Sequence, residues 1–146
     1  MHSSPLPTTS FNETVLPISL TLLDTLNNVL NKYAALAEGH HIIQFSNKHY
    51  TAEHGGYHPV EIALAKGVNN LYSILCITDF SFNGYPYPIL ERDIEFDFTQ
   101  ATVFTRYSGL KSINAPDTDK LYTLWESKFI ANLAKGTYNP IELRSR

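Results

Sequence analysis

The spacing of hydrophobic residues changes twice along the chain, from a helical period to a strand period and back. Between residues 18 and 38, apolar side chains recur at steps of one, three and three residues, which is the stripe of an amphipathic helix. Pro17 precedes this segment and Gly39 follows it, as is typical of the two ends of a helix. The pattern therefore predicts a helix over residues 18–38.

The central part of the chain has the patterning of β-strands. Five segments there are short and either alternate apolar with polar residues or are rich in β-branched and aromatic ones: 41–45, 60–65, 71–82, 90–98 and 102–107. A final short strand is predicted at 138–143. The sequence leaves open whether segment 40–50 pairs in the sheet.

A second helical period occupies residues 116–135, in which Leu121, Trp125 and Phe129 recur every four residues. The predicted strands follow one another through connections too short for the crossovers that parallel strands need. The sequence therefore predicts an α+β fold, an antiparallel meander sheet of four to six strands with an N-terminal and a C-terminal helix packed on one face.

The composition is that of one folded domain. The 146 residues are 43% hydrophobic, 12% aromatic and 17% charged, which excludes a disordered chain and a coiled coil. Prolines, serines and threonines crowd the first positions, so residues 1–16 are predicted to be a flexible N-terminal arm. Residues 17–146 are then a single α+β domain.

Charge and composition argue against several classes of partner. Eleven basic and fourteen acidic residues give a net charge of −3 with no basic run, so no nucleic acid partner is expected. Neither a long apolar span nor a basic signal sequence is evident, so no membrane partner and a cytoplasmic location are expected. No phosphate-binding glycine loop or dinucleotide fingerprint occurs, and no cofactor is expected.

Segment 50–59 is the most unusual part of the sequence, because Glu53, His54 and His58 surround a pair of glycines. In an extended chain the two histidines would lie about 13 Å apart, too far to share a metal ion. No metal site is predicted, even though three other histidines could add ligands: His40, His41 and His49. The segment is then either a ligand-binding loop that includes Tyr57 or a plain connection.

The strand predicted at 90–98 is strongly acidic. A period of two places four carboxylates on one face, about 6.6 Å apart along the strand: Glu91, Asp93, Glu95 and Asp97. This face is either simply solvated or an acidic docking surface for a protein. A carboxylate pair for acid–base chemistry also fits, but any strand with this alternation would satisfy that spacing.

Asp79 lies within an otherwise apolar strand, so its carboxylate must be hydrogen-bonded, paired or protonated. Structural pairing and catalysis both satisfy this requirement. The strand is followed by Tyr85 and Tyr87, which alternate with prolines in a segment that cannot be a central strand. These tyrosines either form an exposed recognition patch or close one end of the core.

Four segments together resemble the bacterial domain-of-unknown-function family 2787. They are His54-Gly-Gly-Tyr-His-Pro-Val-Glu-Ile62, Ile77-Thr-Asp-Phe80, the acidic strand from Leu90 to Phe98, and Leu124-Trp-Glu126 with Phe129. The resemblance extends from about residue 20 to the C-terminus. It implies a small single-domain protein of proteobacteria without an assigned activity, so it carries over no catalytic residue.

Two functions are compatible with these features. The favoured one is a small non-enzymatic binding module, with a protein partner or a second copy of the chain bound by seven residues: Tyr57, Tyr85, Tyr87, Glu91, Asp93, Glu95 and Asp97. The alternative is a small hydrolase-type enzyme, for which the weak catalytic candidates are His54, His58, Asp79 and Glu53. The two differ in whether the histidines and carboxylates converge on one cavity.

Overall fold

The computed structural model describes residues 9–33 and 36–146. Its helices are α1 (Leu20–Leu30) and α2 (Thr118–Ala134). Its strands are β1 (Ser10–Phe11), β2 (Gly39–Phe45), β3 (Val60–Lys66), β4 (Leu71–Asn83), β5 (Ile89–Asp97), β6 (Thr102–Thr105), β7 (Gly109–Ser112) and β8 (Ile141–Ser145).

The strands of the described residues form one sheet in the order β7-β6-β5-β4-β3-β2-β8, with β1 added parallel to the start of β4. Strands β2 to β7 are an antiparallel meander, and β8 returns to pair with β2. The predicted α+β class is confirmed. The predicted number of four to six strands is wrong, since the sheet has eight. The strands that sequence analysis missed, β1 and β7, have two and four residues and are too short to show a period.

The first helix is shorter than predicted. Ser19 caps it, with its hydroxyl oxygen accepting from the Leu22 N–H, but the helix ends at Leu30 rather than at residue 38. The Asn31 amide still bonds four residues back, but the amides of Lys32 and Tyr33 bond three residues back, which tightens the chain and ends the α-helical ladder. The second helix begins at Thr118, two residues after the predicted start.

The segment whose pairing was left open does pair in the sheet. Gly39–Phe45 pairs along its whole length with β3, and residues 41–45 also pair with β8. The remaining residues, 46–50, belong to the loop that leads to β3.

The hydrophobic core lies between the two helices and one face of the sheet. Edge-to-face and stacked aromatic rings run through it, and Trp125 of α2 stacks on Phe129 with ring centroids 5.0 Å apart. Buried Glu126 links the helices, because its Oε2 accepts from the Tyr122 hydroxyl at 2.6 Å and from the Ser19 N–H at 3.1 Å. No described helix is both long enough and apolar enough to cross a membrane.

The predicted N-terminal arm lies partly outside the described residues, since residues 1–8 are not among them. Of the rest of the arm, Ser10–Phe11 pairs with β4 and Leu16 is buried in the core. The division into an arm over 1–16 and a domain over 17–146 stays a prediction.

Candidate functional site

His58 and Asp79 meet at the end of the sheet where β3 begins. The register pairs Val60 with Asp79, so the residue two positions before β3 lies beside the carboxylate. His58 Nδ1 is 2.7 Å from Asp79 Oδ1, and the indole N–H of Trp125 donates to Asp79 Oδ2 at 2.9 Å. Both oxygens have partners, as the sequence requires of a carboxylate in an apolar strand.

The loop between β2 and β3 holds the His58 ring against the sheet. The Tyr50 ring centroid lies 5.4 Å from that of His58 and 5.2 Å from that of Phe82, and the Tyr50 hydroxyl accepts from the Phe82 N–H at 3.0 Å. Gly56 has φ of +131°, and a Cβ there would lie 3.4 Å from the Tyr50 Cα. Glycine at this position therefore permits the loop to close tightly over Tyr50.

A β-bulge in β5 brings a second carboxylate to this place. The register pairs Asp79 with Ile94 and Phe80 with Arg92, which leaves Asp93 as the extra residue of β5. The bulge interrupts the alternation of the strand, so Asp93 lines the cavity under α2 together with Asp79 and Ile94.

The charges around His58 favour its protonated form. Asp93 Oδ2 lies 3.9 Å from His58 Nδ1, and Asp93 Oδ1 lies 3.8 Å from Arg106 Nε. The hydrogen bond to Asp79 raises the pKa of His58 above its usual value, and the negative charges of Asp79 and Asp93 add to this. Burial and the Arg106 guanidinium act in the opposite direction but do not cancel the increase in pKa.

A cavity of about 400 Å³ opens beside these groups. Residues 56–58, strands β4 and β5 and helix α2 line it, with Trp125 and Lys128 among the helix residues. A second cavity of about 470 Å³ lies alongside and shares Asp93, Ile94 and Leu121 with the first. Both volumes fall in the range of about 300–1,000 Å³ that is typical of small-molecule sites.

The structure separates the four weak catalytic candidates into two pairs. His58 and Asp79 converge on the cavity, whereas His54 and Glu53 lie on the turn before it with almost fully exposed side chains. The closest approach between His54 and Glu53 is 3.9 Å, and neither is among the residues that line the cavity. The convergence that the enzyme alternative requires is therefore met by one histidine and one carboxylate of the four candidates.

His40, His41 and His49 take no part in this site. His41 is buried, and its two ring nitrogens lie 2.8 Å from Ser145 Oγ and 2.7 Å from the Ala37 carbonyl oxygen. His40 and His49 are exposed. Within the described residues, none of these three joins a group of potential metal ligands.

The four acids of β5 do not share one face, so that prediction is wrong. The bulge turns Asp93 towards the helix side, whereas Glu95 lies on the opposite side and accepts from the Thr78 hydroxyl at 2.8 Å. Arg92 also donates to Glu95, at 2.9 Å, and its guanidinium lies 3.9 Å above the Phe104 ring centroid. Sequence alternation could not show this, because a bulge depends on how two strands pair.

The remaining two acids of β5 differ in their surroundings. Asp97 Oδ1 accepts from the backbone N–H groups of Thr99 and Gln100, at 3.0 and 3.1 Å, and so caps the turn that follows β5. Glu91 is exposed, and its carboxylate has no hydrogen-bond or ion-pair partner in the described part of the chain. Most of the predicted acidic surface is thus engaged within the molecule.

The aromatic residues near the prolines are exposed. Tyr85 and Tyr87 are 98% and 84% exposed, and Tyr57 is partly exposed at the cavity rim. Tyr85 and Tyr87 form, with the exposed Ile89 and Leu90, a surface that we term the hairpin tip. Tyr85 and Tyr87 therefore form an exposed patch and do not close one end of the core.

The β4–β5 hairpin projects beyond its neighbouring strands. Pairing of β3 with β4 stops at Asp79, and pairing of β5 with β6 stops at Ile94, whereas β4 and β5 stay paired as far as Asn83 and Ile89. The hairpin tip therefore stands at the end of a two-stranded extension of the sheet.

Sequence analysis missed the role of Trp125. Its place in the helical stripe assigned it to the core, where it does stack, but its indole N–H also holds Asp79. A signal was available, since a buried tryptophan needs an acceptor and a buried aspartate needs a donor. The spacing of 46 residues between them hid this pairing.

Comparison with known proteins identifies the family. The family model DUF2787, a protein of unknown function, matches residues 20–144, and the chain belongs to this family. No curated protein matches the chain.

Two solved structures from Vibrio cholerae are similar to this one. The hypothetical protein VC0508 of the VSP-II pathogenicity island is 35% identical with a TM-score of 0.83, over 93% of this chain and 100% of that one. The conserved hypothetical protein VC1805 of pathogenicity island VPI-2 is 38% identical with a TM-score of 0.82, over 92% and 99% of the two chains. VC1805 is described as sharing structural homology with the human P32 protein.

Proposed function

We propose that this DUF2787 protein is a non-enzymatic binding module that contacts a protein partner through the hairpin tip. The observation that supports this most directly is the exposure of Tyr85 and Tyr87, 98% and 84%, on a projecting hairpin. Two large aromatic side chains in water stabilise no part of this fold, whereas their burial in a complex would be favourable.

The composition of the hairpin tip suits an interface. Tyrosine is enriched among the residues that dominate binding energy, because it combines a large apolar ring with a polar hydroxyl group. Ile89 and Leu90 extend the apolar surface, and the exposed Glu91 adds one unpaired charge at its border. Such a patch with a charged border favours a partner that offers an apolar pocket beside a basic group.

The contact surface is narrower than the sequence predicted. Three of the four acids of β5 are engaged within the chain: Asp93, Glu95 and Asp97. Replacing them would disturb the fold as well as any interface, so they are poor choices for a test. Glu91 is the acid whose substitution leaves the described contacts intact.

A capture experiment with matched variants tests this function. The wild-type protein, the double variant Tyr85→Ser/Tyr87→Ser and the control Tyr107→Ser are immobilised and compared for the proteins they retain from a bacterial lysate. Tyr107 is a suitable control because it is 92% exposed on a different turn. We expect the control to retain the wild-type partners and the double variant to lose them at least tenfold.

Two results would contradict the proposal. One is retention of the same proteins by the double variant. The other is a wild-type protein that retains nothing beyond what the double variant retains. Unfolding in urea should be alike for all three proteins, since substitutions at exposed positions change stability by about 0.5 kcal/mol or less.

A second candidate function is hydrolysis in the cavity beside His58. It is favoured by one observation, the 2.7 Å contact between His58 Nδ1 and Asp79 Oδ1 next to a 400 Å³ cavity. A carboxylate that holds one ring nitrogen orients the imidazole as a general base. His58→Gln should then abolish hydrolysis of any ester or phosphoester substrate found by screening, while His54→Gln should not.

A further inference from the structure

We propose that His58, Asp79 and Asp93 bind one divalent transition-metal ion, for which Zn²⁺ is the probe. This goes beyond the binding function of the hairpin tip and does not depend on it. One ligand atom from each residue lies within 4.8 Å of the other two. Neutral imidazole nitrogen and carboxylate oxygen are both donors that Zn²⁺ accepts.

The spacing of the three atoms suits a tetrahedral ion. Bonds of about 2.1 Å at tetrahedral angles separate neighbouring ligand atoms by about 3.4 Å. His58 Nδ1 lies 2.7 Å from Asp79 Oδ1 and 3.9 Å from Asp93 Oδ2, so the two distances bracket that value. The ligand oxygens of Asp79 and Asp93 lie within 4.8 Å of each other, so the two carboxylates would move closer together around a bound ion.

Each carboxylate keeps one oxygen for the ion, while the other is hydrogen-bonded in Asp79 and paired with a positive charge in Asp93. The Trp125 indole N–H bonds Asp79 Oδ2, and the Arg106 guanidinium lies beside Asp93 Oδ1. The remaining oxygens, Asp79 Oδ1 and Asp93 Oδ2, are the two that face His58 Nδ1. This is the arrangement by which proteins orient metal-binding carboxylates, with outer donors fixing the non-binding oxygen.

The bulge in β5 is an independent observation that points to the same place. In regular alternation Asp93 would lie on the face of Glu95, away from His58; the bulge moves it beside a second carboxylate. Two carboxylates close together repel each other, and without a metal ion the positive charges of protonated His58 and Arg106 offset that repulsion. A divalent ion would take the place of the His58 proton between the same two oxygens. Bulges are common next to functional sites because they redirect one side chain in this way.

The cavity gives the ion an open side. Three protein ligands leave a fourth position on Zn²⁺ for water, and the 400 Å³ cavity adjoins all three residues. A bound ion would lower the pKa of that water and so supply a nucleophile for hydrolysis.

Metal titration of the whole chain tests this proposal. Protein treated with a chelator and dialysed is titrated with Zn²⁺ against a chelating dye, and with Co²⁺ by its visible absorption. We expect one ion per wild-type chain. His58→Ala should abolish this binding, Asp93→Asn should weaken it at least tenfold, and Trp125→Phe should weaken it about 10–100-fold.

Two matched controls separate this site from adventitious binding. Glu91→Gln changes an exposed acid of the same strand, and His54→Ala changes the exposed histidine of the same loop, so both should bind as the wild type does. The proposal is overturned if the wild type binds no more metal than His58→Ala, since the three residues then form only an ion pair. Circular dichroism of each variant tests whether the fold is retained. If His58→Ala does not fold, Asp93→Asn takes its place in the comparison, because it removes a metal-binding oxygen with little change in side-chain volume.

Discussion

At the scale of single residues, polar groups inside the fold are satisfied by partners far away in the sequence. Glu126 joins Tyr122 to the amide of Ser19, the N-cap of the other helix, and Asp79 joins His58 to Trp125. The sequence predicts that Asp79 needs partners but cannot name them, because hydrogen bonds over 21 and 46 residues follow from the register of the sheet and the packing of α2. In the described residues, one buried side-chain polar atom, Asn27 Oδ1, has no partner.

Cys76 illustrates how the surroundings of one residue, burial above all, set its reactivity. Burial is the main cause that raises the pKa of its thiol, from 9.0 to about 12. Since only the thiolate is nucleophilic, the reactive fraction at pH 8 should be about 1,000-fold smaller than in the unfolded chain. We expect iodoacetamide to alkylate the folded protein at least 100-fold more slowly than the protein in guanidinium chloride.

The pH dependence of the alkylation rate tests whether the raised pKa of Cys76 is the cause of its slow reaction. A raised pKa keeps the thiol protonated to higher pH, so the alkylation rate of the folded protein should rise about ninefold between pH 10 and 11. A thiol with a pKa of 9.0 would by then be almost fully ionised, and its rate would be nearly constant over that interval. Cys76 is the single cysteine of the chain, so total alkylation reports this site alone. A constant rate above pH 10 would show that the thiol titrates normally.

At the scale of elements, sequence periodicity predicts where the long helices and strands lie. It does not predict features that depend on contacts between elements, such as a bulge or the end of a helix. The strict alternation of 90–98 predicted β5, yet the bulge at Asp93 divides its acids between two faces. Helix α1 was predicted from its apolar stripe, but the stripe continues past Leu30 in residues that are no longer helical. Tyr33, which lies past the end of the helix, contacts the sheet instead, and its hydroxyl oxygen accepts from the Leu143 N–H at 3.3 Å.

The N-terminal cap of α1 offers a test at this scale. Ser19→Ala removes the oxygen that accepts from the Leu22 N–H at 3.2 Å and should destabilise the protein by about 1 kcal/mol. Thr25→Ala is the matched control, because its exposed hydroxyl bonds only the Thr21 carbonyl oxygen within the same helix. Equilibrium unfolding in urea measures both, and equal stability of the two variants would contradict the capping role.

At the scale of the whole molecule, the C-terminal strand protects an edge of the sheet. Residues 141–145 pair with β2 along five positions, and Arg144 adds side-chain bonds to Gln44 and Glu61 at 2.9 and 3.0 Å. The chain passes from α2 back to the sheet, where β8 pairs with β2 and becomes the last strand on this side. Without β8, strand β2 would present unpaired N–H and C=O groups to other chains.

Truncation after residue 140 should therefore have two effects. Each backbone hydrogen bond contributes about 1 kcal/mol, so loss of the β8 ladder should lower the free energy of unfolding by several kcal/mol. The newly exposed edge of β2 should also make the chain associate as its concentration rises, which light scattering measures. Arg144→Ala keeps the backbone ladder and removes only side-chain bonds, so it should stay at the wild-type mass and lose about 1 kcal/mol or less. If the truncated chain has wild-type stability and mass, β8 neither stabilises the fold nor protects the edge of β2, and the prediction is wrong.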